Sequence, residues 1–213
     1  MAVEFILANE DTAKIISELR HEIWCTTYRG IYSDERIDHY DYEEHRQRDL
    51  QRIQDASYHV YLITNADEPV GYFNFLTTET IYIQSLYIRQ EYQRQGIGKQ
   101  AFALIREYCG EHGFDKFTCN CNSHNYSAQV FYSSMGGAII KRNEGHADKY
   151  DDQITFEFCV CGNIYIHNRF TAEDIKIVSG ICTGEKTIGS YSAADKKLHY
   201  AEVVRANADI REF

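Results

Sequence analysis

The sequence predicts an α/β fold, with a mixed central sheet flanked by helices and a small β-rich C-terminal appendage. Three observations carry that prediction. Apolar residues recur at the helical spacing of three and four in some stretches and alternate with polar ones in others. These stretches follow one another as β-α-α-β-β-β-α-β-α-β-β up to about Cys161. Beyond that point "NRFTAEDIKIVSGICTGEKTIGSYSAADKKLHYAEVV" changes texture to short strands broken by "TGE" and "AADKK". The expected division is therefore residues 1–161 as one domain and 162–213 as an extension of unknown role.

Taken in order, "VEFILA" reads as a first strand. "NEDTAKIISELRHEIWCTTY" offers Asn9 and Asp11 as capping residues ahead of Ile15, Ile16, Leu19, Ile23 and Trp24 at helical spacing. The acidic, Tyr-rich segment "RGIYSDERIDHYD" is expected to be a loop leading to a more charged helix, "YEEHRQRDLQRIQDA". "HVYLIT", "VGYFNFLTT" and "TIYIQSLYI" form an antiparallel meander, with a turn at "NADEP" that holds the only proline. "IGKQAFALIREYCGEHG" is a helix closed by Gly113. "KFTCNC" is a strand, "NYSAQVFYSSMGG" a helix, and "AIIKR" and "QITFEFCVC" are strands. A single helical turn begun by Thr171 is expected in the appendage.

Composition bounds the function classes. The 213 residues include 17 Tyr and 11 Phe and are 44% hydrophobic, enough to fill a core. A formal charge of −10 argues against a nucleic-acid partner, because phosphates need a basic surface, and favours cationic partners such as amines. No window approaches the roughly 18 uninterrupted apolar residues of a membrane span, and the start lacks the basic region and the small-residue cleavage site of a signal peptide. A cytoplasmic location without membrane contact is the expectation. Seven cysteines, an odd number, argue against a complete disulfide framework. Cys119-x-Cys121 and Cys159-x-Cys161 lie on strands, whereas zinc sites usually place C-x2-C on a turn, so reduced core thiols are expected and no metal is assigned.

The most informative stretch is "QRQGIGK", residues 93–99, between a strand and a helix. Glycine lets the backbone turn tightly and approach a ligand, and the first N–H groups of a helix lack intrahelical partners. Such a turn can seat a pyrophosphate, with Arg94 and Lys99 adding charge. The spacing matches neither the dinucleotide G-x-G-x-x-G nor the P-loop pattern, and a ligand-free turn explains the loop equally well on its own.

Its surroundings are more specific. "LYIRQEYQRQGIGKQAF" resembles the acetyl-CoA signature of the GNAT superfamily of N-acetyltransferases, [QR]-x-x-G-x-[GA], filled by Gln93, Gly96 and Gly98. A second resemblance follows in "NYSAQVFYSSMGG", the pattern N-x-x-A-x-x-F-Y-x-x-x-G carried by Asn125, Ala128, Phe131, Tyr132 and Gly136. The resemblance covers about residues 3–160. Gln90 stands where the family often has proline, and Gly137 replaces the usual Phe, which removes an aromatic from the core.

The resemblance implies acetyl-CoA as acetyl donor and transfer to an amine by direct attack. It places the pantetheine arm along the backbone of Leu86, Tyr87 and Ile88, with one N–H facing the thioester carbonyl. Gln93, Arg94, Gln95, Gly96, Ile97, Gly98 and Lys99 would hold the pyrophosphate, and Asn125 would contact the pantetheine from the far side. Tyr132 would protonate the departing thiolate, although a packing role is the plain alternative among so many tyrosines. No general base is assigned: Glu79 sits at a hairpin, and Gln84 and Ser85 could only orient water. Asp34, Glu35, Asp38 and Asp41 could hold a cationic acceptor or merely face solvent, and His39 and His45 carry the same two readings.

The acceptor is expected to be a small cationic amine. A protein amine is the rival within enzymes, and a non-catalytic acetyl-CoA-binding module the rival outside them. A free sheet edge points to a homodimer.

Overall fold

A computed structural model describes residues 3–160, 189–192 and 197–200, the last two ranges by backbone alone. The chain forms two compact units, Met1–Phe158 and Cys159–Phe213. The first contains β1 (Val3–Leu7), α1 (Thr12–Thr27), α2 (Asp34–Asp38), α3 (Tyr42–Gln54), β2 (Tyr58–Asn65), β3 (Glu68–Thr77), β4 (Ile81–Ile88), α4 (Ile97–His112), β5 (Lys116–Asn122), α5 (Tyr126–Ser134), β6 (Ala138–Asn143) and β7 (Gln153–Cys159). In the second, β8 (Gly189–Ser192) and β9 (Lys197–Tyr200) pair as an antiparallel hairpin. The helical turn expected at Thr171, and Cys161, lie outside the described residues.

The sheet order is β1-β2-β3-β4-β5-β7-β6. β1 to β4 are antiparallel neighbours, β4 and β5 run parallel, and β6 and β7 form an antiparallel pair. Alternation along β3 sends Tyr72 to one face, where it joins Ile16 and Leu19 of α1 and Val60 and Leu62 of β2. Phe75 points to the other face, 5.0 Å from the ring of Tyr108 on α4. On that face α4 buries Ile97, Ala101, Phe102, Ile105 and Cys109, one helical stripe, and Phe102 meets Phe117, Phe131 and Phe158. The aromatic expected to be missing at Gly137 is supplied by Phe158. Its ring carbon lies 2.6 Å from where a Cβ on Gly137 would sit, so the pair exchanges a side chain at one position for one at the other.

The segment expected to be a plain loop before α3 carries α2. Ser33 caps it by accepting the Arg36 N–H, and Asp34 and Glu35 occupy the first turn, where carboxylates favour the helix dipole. Arg29 then binds Asp34 and Asp38 at 2.9 and 2.8 Å.

α1 and α3 are tied by one buried ion pair. Arg20 donates twice to Asp49, at 2.8 and 2.7 Å, and once more to the Tyr72 hydroxyl at 2.8 Å. Beside it, His45 stacks on Tyr40 at 4.2 Å and meets the edge of Trp24 at 5.6 Å. Burial, with the charges of Arg20 and Arg48, lowers the His45 pKa to about 4. The folded chain therefore binds this proton less readily than the unfolded chain, whose histidine titrates near 6.5. Stability is complete above the unfolded value and falls as pH drops from there towards 4. After allowance for solvent screening of a half-buried ring, the loss is about 1–2 kcal/mol. Urea midpoints compared at neutral pH and near pH 4.5 measure it, and His45→Phe should flatten that part of the profile.

Candidate functional site

The site is set by a break in pairing. β4 and β5 are joined only at Ile81↔Phe117, Tyr82↔Thr118 and Ile83↔Cys119. Both strands continue, β4 to Ile88 and β5 to Asn122, so beyond Ile83 their facing edges diverge. The cause is visible on the other side of β4. There the register with β3 skips from Asn74↔Ser85 to Phe75↔Ile83, leaving Gln84 as a bulged residue. A bulge bends its strand and re-aims the residues beyond it. Leu86, Tyr87 and Ile88 still pair with β3 through Phe73, Tyr72 and Gly71, but along the edge towards β5 their backbone meets no partner strand. That edge can accept an extended chain.

At the top of the cleft, Ile88 leads through a 3-10 turn, Gln90–Tyr92, into the loop ahead of α4. The Gln93 side chain turns back and donates to the Ile88 carbonyl at 2.9 Å, and Gln95 donates to the Glu91 carbonyl at 2.8 Å. Both glutamines thus brace the loop. Arg94 adopts φ 60°, and Gly96 caps α4 with φ 84° and no side-chain cap. The opening N–H groups of α4 at Ile97, Gly98 and Lys99 are therefore not taken up by a capping side chain. Arg94 and Lys99 are exposed beside them. This arrangement can seat an anion. Gly96→Ala forces an L side chain into the left-handed region, at a cost of about 1–2 kcal/mol. We expect a lower melting temperature together with weaker acetyl-CoA binding, read by calorimetry. Loss of stability at unchanged affinity would separate the turn from ligand binding.

Tyr132, on the second turn of α5, is 7% exposed. Its hydroxyl and the Cys119 thiol are hydrogen-bond neighbours, which puts it beside the last residue of β5 that still pairs with β4. Burial raises its pKa well above the ordinary phenol value, and the neighbouring Cys119, Cys121 and Tyr87 act in the same direction. Tyr132 is thus fully protonated at neutral pH. It also packs against the rings of Phe131, Phe156 and Phe158. Asn125 caps α5 by accepting the Ala128 N–H at 3.1 Å, which fixes its amide at the end of the helix. Burial raises the Cys121 thiol to about 12 and Cys119 further still, so both are neutral. Among the described residues no cluster of three or more His, Cys, Asp or Glu side chains is arranged to hold a metal ion.

The acidic residues proposed for a cationic acceptor are largely committed elsewhere. Asp34 and Asp38 hold Arg29, and Asp41 caps α3 through the Glu44 N–H. Glu79 is exposed in the turn between β3 and β4. What the structure brings to this side of the sheet instead is aromatic. Tyr28 and Tyr32 stack at 4.2 Å, Tyr28 and Tyr87 approach with their hydroxyls 3.5 Å apart, and Tyr32 meets Tyr150 of the β6–β7 loop at 4.9 Å. Arg36 lies over the Tyr150 ring at 3.8 Å. Sequence reasoning did not find this wall. Alternation along β4 could have shown that Tyr87 shares the face of Tyr72's partners, but contacts between residues as distant as Tyr32 and Tyr150 leave no local signal.

Among the described residues, no helix is long and apolar enough to cross a membrane. Comparison with curated proteins gives no match. Among solved structures, the chain is similar to the PaiA N-acetyltransferase of Thermoplasma acidophilum in complex with coenzyme A (TM-score 0.65, 19% identity, 75% of this chain and 99% of that one). It is similar also to an acetyltransferase from Thermus thermophilus (0.59, 21%, 75% and 97%). A third is the Salmonella typhimurium acetyl transferase that modifies the N-terminal serine of ribosomal protein L7/L12 (0.59, 18%, 75% and 95%). At these identities the likeness is one of fold. The family described as the acetyltransferase (GNAT) family matches residues 17–136, a span that contains the diverging strands, the loop at 93–99, Asn125 and Tyr132. The chain belongs to the GNAT acetyltransferase family, acyltransferases that take their acetyl group from acetyl-CoA.

Proposed function

We propose that this chain acetylates a primary amine of a small cationic molecule, by direct attack of the amine on the thioester of acetyl-CoA. The observation that carries the reading is the parting of β4 from β5 after Ile83↔Cys119, beside a buried, protonated Tyr132. In this reading residues 1–161 are the catalytic domain and 162–213 an extension of it. The pantetheine arm runs along Leu86, Tyr87 and Ile88, with Asn125 opposite. Residues 93–99 receive the pyrophosphate on the first N–H groups of α4, with Arg94 and Lys99 neutralising charge. A backbone N–H of β4 stabilises the developing oxyanion. Tyr132 gives its proton to the thiolate as the C–S bond breaks. The net charge of −10 favours approach of a cation. A cytoplasmic location and self-association belong to the same proposal. β6, an edge strand with Ile139 and Ile140 exposed, offers a surface for the second.

One observation favours a second acceptor, a protein N-terminal amine. Asp34, Asp38 and Asp41 are engaged within the protein, which leaves fewer carboxylates for a second positive group on a small molecule. Mass detection of product from acetyl-CoA, over polyamines, amino acids, aminoglycosides and peptides with free N-termini, decides between them. Product from the small amines supports the first reading, and product only from peptides the second. Acetyl-CoA binding without any product would leave a binding module.

A further inference from the structure

The amine must lose a proton before it can attack, and the sequence names no base for this. The structure contains one arrangement suited to the task. His124 lies two residues past the end of β5, directly before Asn125. Its Nε2 is 3.0 Å from Asp152 Oδ2. The other carboxylate oxygen receives the His146 backbone N–H at 2.9 Å and faces His146 Nδ1 at 2.8 Å. Asp152 is 5% exposed, and the hydrogen bonds from His146 and His124 hold its carboxyl well below the usual range. It is therefore a carboxylate and can only accept. Each imidazole must present an N–H to it, which in the neutral rings sets the tautomers: His124 with its proton on Nε2 and His146 with its proton on Nδ1. The remaining nitrogen of His124, Nδ1, has no hydrogen-bond partner among the described residues, and in the neutral ring it is the one that can accept a proton.

Position distinguishes the two histidines. β5 borders the opening left by β4, and His124 stands at the end of that border. The loop carrying Asp152 is fastened to β5, because Asn122 Nδ2 donates to the Lys149 carbonyl at 2.6 Å and the Ser123 N–H to the Asp152 carbonyl at 3.0 Å. The same loop carries Tyr150, and the contacts Tyr150–Tyr32, Tyr32–Tyr28 and Tyr28–Tyr87 lead back to β4. The aromatic wall thus spans from the His124 side of the opening to the Tyr87 side. His146 sits farther along the loop, six residues before Asp152. The other charged residues on this loop are Glu144, bound by Arg142 of β6, Asp148, bound by Arg36 of α2, Lys149 and Asp151.

Building on the proposed function, we propose that His124 is the general base for the acceptor amine, oriented by Asp152. An alkylammonium of pKa about 10.4 is almost wholly protonated at neutral pH. His124 Nδ1 takes one proton from it and later releases that proton to solvent. The free amine forms the C–N bond, the C–S bond breaks, and the thiolate takes its proton from Tyr132. The second proton of the original ammonium leaves the new amide nitrogen and restores the phenol. The balance is ammonium plus acetyl-CoA giving amide, coenzyme A and one released proton, with no redox partner required.

The test compares two acceptors: the panel alkylamine that the wild-type chain acetylates best, and hydroxylamine, which is already neutral at neutral pH. His124→Gln should lower kcat for the alkylamine roughly 100-fold or more, the usual range for a general base. The loss should shrink as pH rises and the amine deprotonates itself, while the enzymatic rate with hydroxylamine stays nearly unchanged. Asp152→Asn supplies an independent variant, because an amide that donates to Nε2 moves the His124 proton to Nδ1 and should reproduce the same acceptor-dependent loss. Retained rate in His124→Gln, or equal loss with both acceptors, would overturn the base assignment and leave acetyl transfer by the wild type standing. Absence of product from every amine with the wild type would overturn the proposed function and this inference together.

Discussion

Tyr132→Phe should lower kcat about 100-fold or more, the range expected for losing a general acid, while the affinity for acetyl-CoA stays nearly constant. The substitution removes one oxygen and keeps the ring. The contacts with Phe131, Phe156 and Phe158 therefore survive, and the fold should lose only the net value of one hydrogen bond, about 0.5–1.5 kcal/mol. The chemistry loses more. A thiol has a pKa of about 8.5, so its anion is a tolerable leaving group in water but a poor one in a dry cleft with nothing to donate to it. Burial raises Tyr132 well above its usual value, which makes complete proton transfer uphill at rest. In the proposed reaction the phenol therefore acts late, as negative charge gathers on sulfur, and its effect should appear in kcat and not in ground-state binding. Steady-state kinetics with acetyl-CoA varied, alongside calorimetric binding, separate the two. An unchanged kcat would return Tyr132 to the aromatic core around Phe102 and leave the thiolate to depart unassisted.

How much of this was legible in sequence differs by element, for physical reasons. The helices α1 and α4 each bury one stripe against the core, so their periodicity shows in the residues themselves, and β3, buried from Val70 to Phe75 with both faces covered, shows as an apolar run. The loop at 93–99 and the Asn125–Tyr132 segment were legible because local backbone demands, a left-handed Gly96 and a capping Asn125, sit within a few residues of one another. α2 was missed because its stability depends on Arg29 reaching Asp34 and Asp38, side-chain pairing inside a segment whose composition reads as solvent-facing loop. The divergence of β4 from β5 depends on where pairing stops, and no residue type encodes that. The His124–Asp152–His146 cluster joins positions 28 apart across α5, β6 and the loop after it, so only the folded chain shows it.

Asp49→Ala should be the most damaging single change to the fold, destabilising it by about 3–5 kcal/mol. Arg20 and Asp49 are 4% and 1% exposed, and removing the carboxylate strands a guanidinium that cannot reach water. Arg52, at 3.3 Å from the same carboxylate, is less enclosed and can turn outward. The double variant Arg20→Met with Asp49→Leu removes both charges. It should cost markedly less than the single one, chiefly the Tyr72 hydroxyl that loses its donor, about 1–3 kcal/mol. The comparison tests whether the pair is held for its net energy or because each charge forbids the loss of the other. It also reaches the site, because Tyr72 lies 5.4 Å from Tyr87, and α1, fastened by Arg20, carries Trp24 in its last turn and is capped by Tyr28. Urea unfolding gives the energies, and the KM for the acceptor gives the consequence. The single variant, assayed well below its lowered melting temperature, should raise that KM more than it raises the KM for acetyl-CoA, whose loop is anchored on α4. If both rise together, the ion pair supports the whole sheet and not the aromatic wall in particular.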